Sequence, residues 1–103
     1  LTTYAASFLY ARRHDESQDT ENAALQEMHS LAKAVKTNGA TVIIVTDEVG
    51  SGIVPDNAVS RAFRDVLGSM NSVLAAEADR VYLSVAGLTV DLKKISVRAE
   101  AEI

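Results

Sequence analysis

The sequence predicts an α/β fold built on a parallel sheet, with flanking helices and an antiparallel strand at its C-terminal edge. Three observations carry that expectation. Ala40–Thr46, ATVIIVT, is a continuous β-branched run without alternation, the pattern of a strand buried on both faces. A long helical pattern separates it from a second strand-like run, Arg80–Ala86, RVYLSVA, which makes a βαβ unit with a right-handed crossover. After Gly87 the pattern becomes strict alternation, with Leu88, Val90 and Leu92 against Thr89, Asp91 and Lys93. That is the signature of a half-buried antiparallel edge strand.

In chain order, residues 1–12 place Ala5, Phe8, Leu9 and Arg12 at helical spacing, with Thr2 or Thr3 as the cap. The stretch RHDESQDTEN has no apolar residue and reads as a solvated loop or the frayed start of the next helix. That helix is expected over about residues 20–37, with Leu25, Met28, Leu31, Ala32 and Val35 on one stripe. Asn38-Gly39 supplies its stop, because both residues tolerate positive φ. The clearest helix follows the central loop. Val59, Ala62, Phe63, Val66, Leu67, Met70, Val73 and Leu74 keep helical spacing for four turns, with Asp56 or Asn57 as the cap after Pro55. Gly68 in mid-helix costs about 1 kcal/mol relative to Ala, so a close-packed neighbour is expected there. The tail KISVRAEAEI either continues the edge strand or is disordered.

Two parallel strands and three helices do not close a sheet, since parallel sheets need both faces covered and usually four or more strands. The 103 residues therefore read as one domain that is the C-terminal portion of a larger α/β domain, and the chain opens at Leu1 without an initiator Met. Apolar residues make up 48 % of the chain, enough for a real core. A net charge of −4 with scattered basic residues argues against a nucleic-acid surface, which needs clustered Lys and Arg. With no cysteine there is neither a disulfide framework nor a thiolate metal site. No apolar run approaches the roughly 20 residues of a membrane span.

The stretch from 46 to 57, TDEVGSGIVPDN, is where a site is expected. In an open α/β sheet, ligands bind beyond the carboxyl ends of the strands, and Asp47 and Glu48 lie at that end of the first strand. The connection is about ten residues, long for a loop of this kind. Gly50 and Gly52 allow close backbone approach or positive φ. A solvated crossover loop with acids chosen for solubility has the same composition. Arg61 and Arg64, one turn into the long helix and opposite its apolar stripe, are placed either to meet an anionic ligand near the helix N-terminus or to pair with Asp65 along the helix. His14 and His29 neighbour neither each other nor a Ser at nucleophile spacing, and no metal cluster is expected. The glycines do not make a dinucleotide fingerprint, and no Walker A sequence occurs.

The run VTDEVGSGIVPDNAVSRAFRDVLGSMNSVLAAEADRVYLSVAGL resembles the C-terminal half of the bifunctional adenosylcobinamide kinase/adenosylcobinamide-phosphate guanylyltransferases of cobalamin biosynthesis. The matching positions are Val45 to Gly50, Gly52 to Pro55, Phe63 to Asp65, Asn71, Ala75 to Ala78 and Val85 to Gly87. The opening Leu1-Thr2-Thr3 resembles the start of a family helix, so the likeness covers essentially residues 1–92. Asp47 departs from the pattern, standing where the family usually has Asn. The resemblance implies a partial P-loop NTPase-like fold, a kinase step on adenosylcobinamide with ATP or GTP and Mg²⁺, and GMP transfer from GTP. It implies a soluble, cytoplasmic homo-oligomer, a trimer in the family.

The family's P-loop and its guanylylated histidine would lie before Leu1, so no catalytic residue is assigned within these residues. Neither His14 nor His29 takes the histidine's role. In this frame Asp47, Glu48, Gly50 and Gly52 wall the nucleotide or corrinoid site, and Arg61 and Arg64 are its charge partners. Arg64 could equally hold the helix against Glu48. Gly87 follows the final parallel strand, near the nucleotide base. The alternative is a non-catalytic remnant or interaction module that kept the fold half without the P-loop.

Overall fold

The computed structural model describes residues 1–49 and 57–97. Its elements are α1 (Thr2–Ala11), α2 (Ser17–Asn38), α3 (Ala58–Glu77), β1 (Tyr82–Val85), β2 (Leu88–Asp91) and α4 (Leu92–Ile95). Among the described residues the chain is thus a mixture of helix and strand, with three longer helices and a short C-terminal hairpin.

The core forms where α3 packs on both α2 and α1. Val66, Leu67 and Met70 of α3 meet Ala24 and Met28 of α2 and Ala5 of α1. Met28, Leu67 and Met70 are the largest fully buried side chains, each worth about 1.5–3 kcal/mol of burial. Ala5 and Ala24 have no exposed surface, and their small size lets the helices approach closely. Leu1, Phe8, Leu9, Val49, Phe63, Val73 and Leu74 close the edges of this cluster.

On α2 the buried row is Thr20, Ala24, Met28 and Ala32, an i, i+4 ridge. The expected stripe is therefore rotated: Leu25 and Val35 are half-buried and Leu31 is exposed. Polar ties join the helices at their margins. The Ser69 hydroxyl donates to Glu21 at 2.9 Å, and Tyr4 on α1 donates to Glu27 at 2.7 Å. That hydrogen bond holds the Tyr4 phenol above its usual range, and burial adds to the effect.

The helix ends follow local chemistry. Gly39 stops α2 in the left-handed region at φ 76°, as the Asn-Gly pair predicts. Asn57 is the cap of α3, its side chain accepting from the Ser60 amide at 2.7 Å. At the other end of α3, the Lys93 amine donates to the carbonyls of Ala76 and Ala78. Neither Thr2 nor Thr3 caps α1, because Leu1 is the N-cap and no side chain serves it. Gly68 has no close neighbour: a Cβ there would meet nothing within 4 Å among the described residues. The expectation of a tightly packed segment at that glycine is not met.

The largest difference from the sequence expectation is the sheet. Among the described residues it has two strands, β1 and β2, antiparallel, with Tyr82 opposite Asp91 and Val85 opposite Leu88. Residues 40–46 form no strand, and Ile43 and Val45 are 84 % and 78 % exposed. The physical reason is the difference in chain closure. β1 and β2 pair across a two-residue turn, whereas joining 40–46 to 80–86 in parallel requires a long crossover and layers on both faces. β1 and β2 are themselves mostly exposed rather than half-buried. The strand expected over 88–92 stops at Asp91, whose carboxylate accepts from the Lys93 and Lys94 amides and starts α4. Of the tail, residues 98–103 lie outside the described residues.

Candidate functional site

The end of the extended run is held from two directions. From α1, the Thr2 hydroxyl donates to the Asp47 carboxylate at 2.8 Å. From α3, the Asn71 side chain meets two consecutive residues. Its oxygen accepts from the Thr46 hydroxyl at 2.7 Å, and its nitrogen donates to the Asp47 carbonyl at 3.0 Å. Val49, two residues further on, packs against the core. The chain is thus pinned at 46, 47 and 49, although among the described residues it belongs to no sheet.

Asp47 and Glu48 are exposed at this pinned end. Arg61 is exposed and Arg64 half-buried on the first turns of α3. Glu48, Arg61 and Arg64 each interact with a neighbouring group. Gly50 and Gly52 lie outside the described residues. Gly87 has a local reason for being glycine, since Ala86 and Gly87 form the β1–β2 turn at φ 52° and 78°. Its place is therefore a hairpin turn rather than the end of a parallel strand.

Sequence reasoning missed two contributors. Thr2 reads as a cap, yet its hydroxyl reaches Asp47. Asn71 carried only a place in a family pattern, although an Asn amid the apolar positions of a helix is a poor helix former and so itself a signal. Chemically, the arrangement offers adjacent carboxylates on a fixed backbone, suited to accepting hydrogen bonds or meeting the water shell of a cation. Among the described residues no group of three or more His, Asp or Glu could hold a metal ion. A separate open cleft of about 310 Å³ is lined by Asp79, Arg80, Tyr82, Asp91, Lys93 and Lys94. Asp91 and Lys93 there are already engaged in capping α4 and α3.

A mixed α/β chain with an acidic, side-chain-braced turn beyond an extended run is the class that fold and site define. The particular family follows from comparison. Residues 1–92 match the family described as cobinamide kinase / cobinamide phosphate guanyltransferase, and the chain belongs to that family. It is 38 % identical over 99 residues to the bifunctional adenosylcobalamin biosynthesis protein CobU of Salmonella typhimurium, covering 90 % of this chain and 55 % of the relative. CobU of Escherichia coli matches with the same identity and coverage. CobP of Pseudomonas aeruginosa, another bifunctional adenosylcobalamin biosynthesis protein, is 33 % identical over 67 residues, or 65 % of this chain and 39 % of the relative. The chain spans about half the length of the curated relatives it matches. Among the described residues no helix is long and apolar enough to cross a membrane.

Proposed function

We propose that the protein is an adenosylcobinamide kinase / adenosylcobinamide-phosphate guanylyltransferase of cobalamin biosynthesis, and that residues 1–103 are the C-terminal portion of its larger α/β domain. The observation that carries this reading is the family match over residues 1–92, which takes in the acidic turn at Asp47 and Glu48. The reaction moves a phosphoryl group from ATP or GTP to adenosylcobinamide, then GMP from GTP to the phosphorylated product. Phosphoryl transfer depends mainly on positioning and on neutralising charge, with little covalent work for the protein.

In this reading the exposed run 40–46 is a parallel strand of a P-loop-type sheet, its exposed Ile43 and Val45 covered in the complete fold. Asp47 and Glu48 wall the site beyond its carboxyl end, with Gly50 and Gly52 giving backbone access to the ligand. Arg61 and Arg64 balance phosphate charge at the start of α3, and Gly87 keeps the neighbouring turn tight. Mg²⁺ binds through one or two carboxylates plus substrate phosphates, and no residue of 1–103 is assigned to it. When bound it neutralises charge on the transferring phosphates. The protein is cytoplasmic and works as a homo-oligomer, a trimer by family resemblance.

The test is direct assay of the complete gene product with adenosylcobinamide, labelled ATP or GTP and Mg²⁺. Phosphoryl and GMP transfer are both expected, and neither from the 103-residue polypeptide alone. A folded complete product that performs neither transfer would overturn this reading in favour of a non-catalytic interaction module. Transfer of label from GTP by the isolated 103 residues would refute the assignment of catalysis to other residues.

A further inference from the structure

We propose that Asn71 is a positioning residue for the site at the end of the extended run, acting through the peptide that carries Glu48. The inference rests on the reading above that the Thr46–Glu48 turn walls the ligand site. Two bonds define the amide's orientation. A backbone carbonyl only accepts, so the Asp47 carbonyl at 3.0 Å must face the Asn71 nitrogen. The Asn71 oxygen then faces Thr46, whose hydroxyl is the donor at 2.7 Å. One side chain therefore grips two successive residues.

The consequence lies in which carbonyl is held. The Asp47 carbonyl belongs to the peptide bond leading into Glu48, so Asn71 fixes the plane from which Glu48 projects. Thr2 holds the Asp47 side chain from α1, opposing rotation of the same residue. Asn71 is well placed to act as an anchor, because the preceding residue, Met70, is fully buried in the helical core. Thr46, Asp47, Asn71 and Thr2 thus form a brace that transmits the rigidity of α1 and α3 to an exposed turn. A turn beyond the end of an extended run has no ladder of its own to fix its geometry, and here side chains supply that constraint.

A positioning role differs from a merely structural one in what it moves. Misplacing a group by about 1 Å can cost on the order of 100-fold in rate, while substrate affinity and overall stability change little. Asn71→Asp keeps the size and the acceptor for Thr46 but sets a carboxylate against the Asp47 carbonyl. Protonation of that carboxyl restores a donor.

In the complete gene product, Asn71→Asp is expected to lower kcat by about tenfold or more with KM within about twofold. The melting midpoint should stay close to wild type. The ratio of variant to wild-type kcat should recover as pH falls through the titration of the new carboxyl. Thr46→Val should lower kcat similarly, and Thr46→Ser, which keeps the hydroxyl, should recover most of it. A folded Asn71→Asp protein with wild-type kcat, or one whose rate and stability fall together without recovery at low pH, overturns the proposal. If the wild type transfers neither group, the functional reading fails, and the brace is judged by NMR alone. Slow exchange of the Asn71 side-chain amide protons, lost in Thr46→Val, upholds the brace, and fast exchange in the wild type overturns it.

Discussion

The Thr2 hydroxyl donates to the Asp47 carboxylate at 2.8 Å, joining the first turn of α1 to a residue 45 positions later. This bond needs an acceptor at position 47 but no negative charge. An Asn side chain would accept it through its amide oxygen, and Asn is what the resembling family pattern carries there. Asp47→Asn is therefore expected to keep most of the turnover of the complete enzyme, while Glu48→Ala lowers it clearly. Thr2→Val should cost about 0.5–1.5 kcal/mol of stability through the lost hydrogen bond. Steady-state kinetics and denaturant titration of the three variants check this. Equal loss of turnover from the two acid substitutions would remove Glu48 from its assigned place.

Gly68 sits inside α3, and among the described residues, its own helix backbone aside, no heavy atom lies within 4 Å of where its Cβ would be. Its Cα is therefore open to a methyl group, and Ala is the better helix former by about 1 kcal/mol. Gly68→Ala should stabilise the protein by about 0.5–1 kcal/mol and raise its melting midpoint by a few degrees. Destabilisation, read in the same melt, would mean that another segment of the complete protein packs against this turn of α3.

The helices were legible because their signals are local. The Asn38-Gly39 stop, the Asn57 cap and the four-turn apolar stripe of α3 each depend on residues within a turn or two. The hairpin partly followed the same rule: alternation after Gly87 marks β2, and the antiparallel pairing is as expected. Residues 40–46 show the limit. Val42, Ile43, Ile44 and Val45 identify strand-forming sequence, but a strand exists only with partners, and none is present among the described residues. At the candidate site, the strand-end rule pointed to Asp47 and Glu48, but the run before them forms no strand among the described residues. Thr2 and Asn71 were not assigned to it, since bonds spanning 45 and 24 residues leave no periodic trace. Thr2 in addition imitates a helix cap.

Lys36 and Glu77 tie the end of α2 to the end of α3 through a 2.7 Å ion pair between exposed side chains. The hydrogen bond, and then the charge of the partner, hold Glu77 below its ordinary value of 4.5 and Lys36 above its ordinary value of 10.5. The two signs define a window. The contribution of Glu77 is present above its unfolded value and is lost as pH falls through its lowered folded one. The contribution of Lys36 is present below its unfolded value and is lost as pH rises through its raised folded one. The stability difference between wild type and Lys36→Met should therefore be largest between about pH 4.5 and 10.5, and vanish at both extremes. It should also shrink in about 1 M salt, where the screening length is near 3 Å. Urea midpoints across pH and salt measure it, and a difference independent of both would assign the effect to packing of the Lys36 stem.

Ala86 occupies the first central position of the β1–β2 turn at φ 52°, followed by Gly87 at φ 78°. Two consecutive positive φ values define the tight turn whose twist suits a two-residue hairpin. Gly87 meets that demand without strain, but the Cβ of Ala86 costs about 1–2 kcal/mol in the left-handed region. Neighbouring interactions offset this cost. The Ser84 and Thr89 hydroxyls pair across the strands at 2.7 Å, and the Leu92 amide donates to Val81 at 2.9 Å beyond the far end of the ladder. Asn tolerates positive φ and is the preferred partner of Gly in such turns. Ala86→Asn should therefore raise stability by about 0.5–1 kcal/mol, while Gly87→Ala should lower it by about 1 kcal/mol or more. Denaturant midpoints give the sign, and amide exchange of residues 82–91 shows whether the change resides in the hairpin. Stabilisation by Gly87→Ala would mean that the turn is of another type, and with it that the pairing of Val85 with Leu88 is not the register of the folded protein.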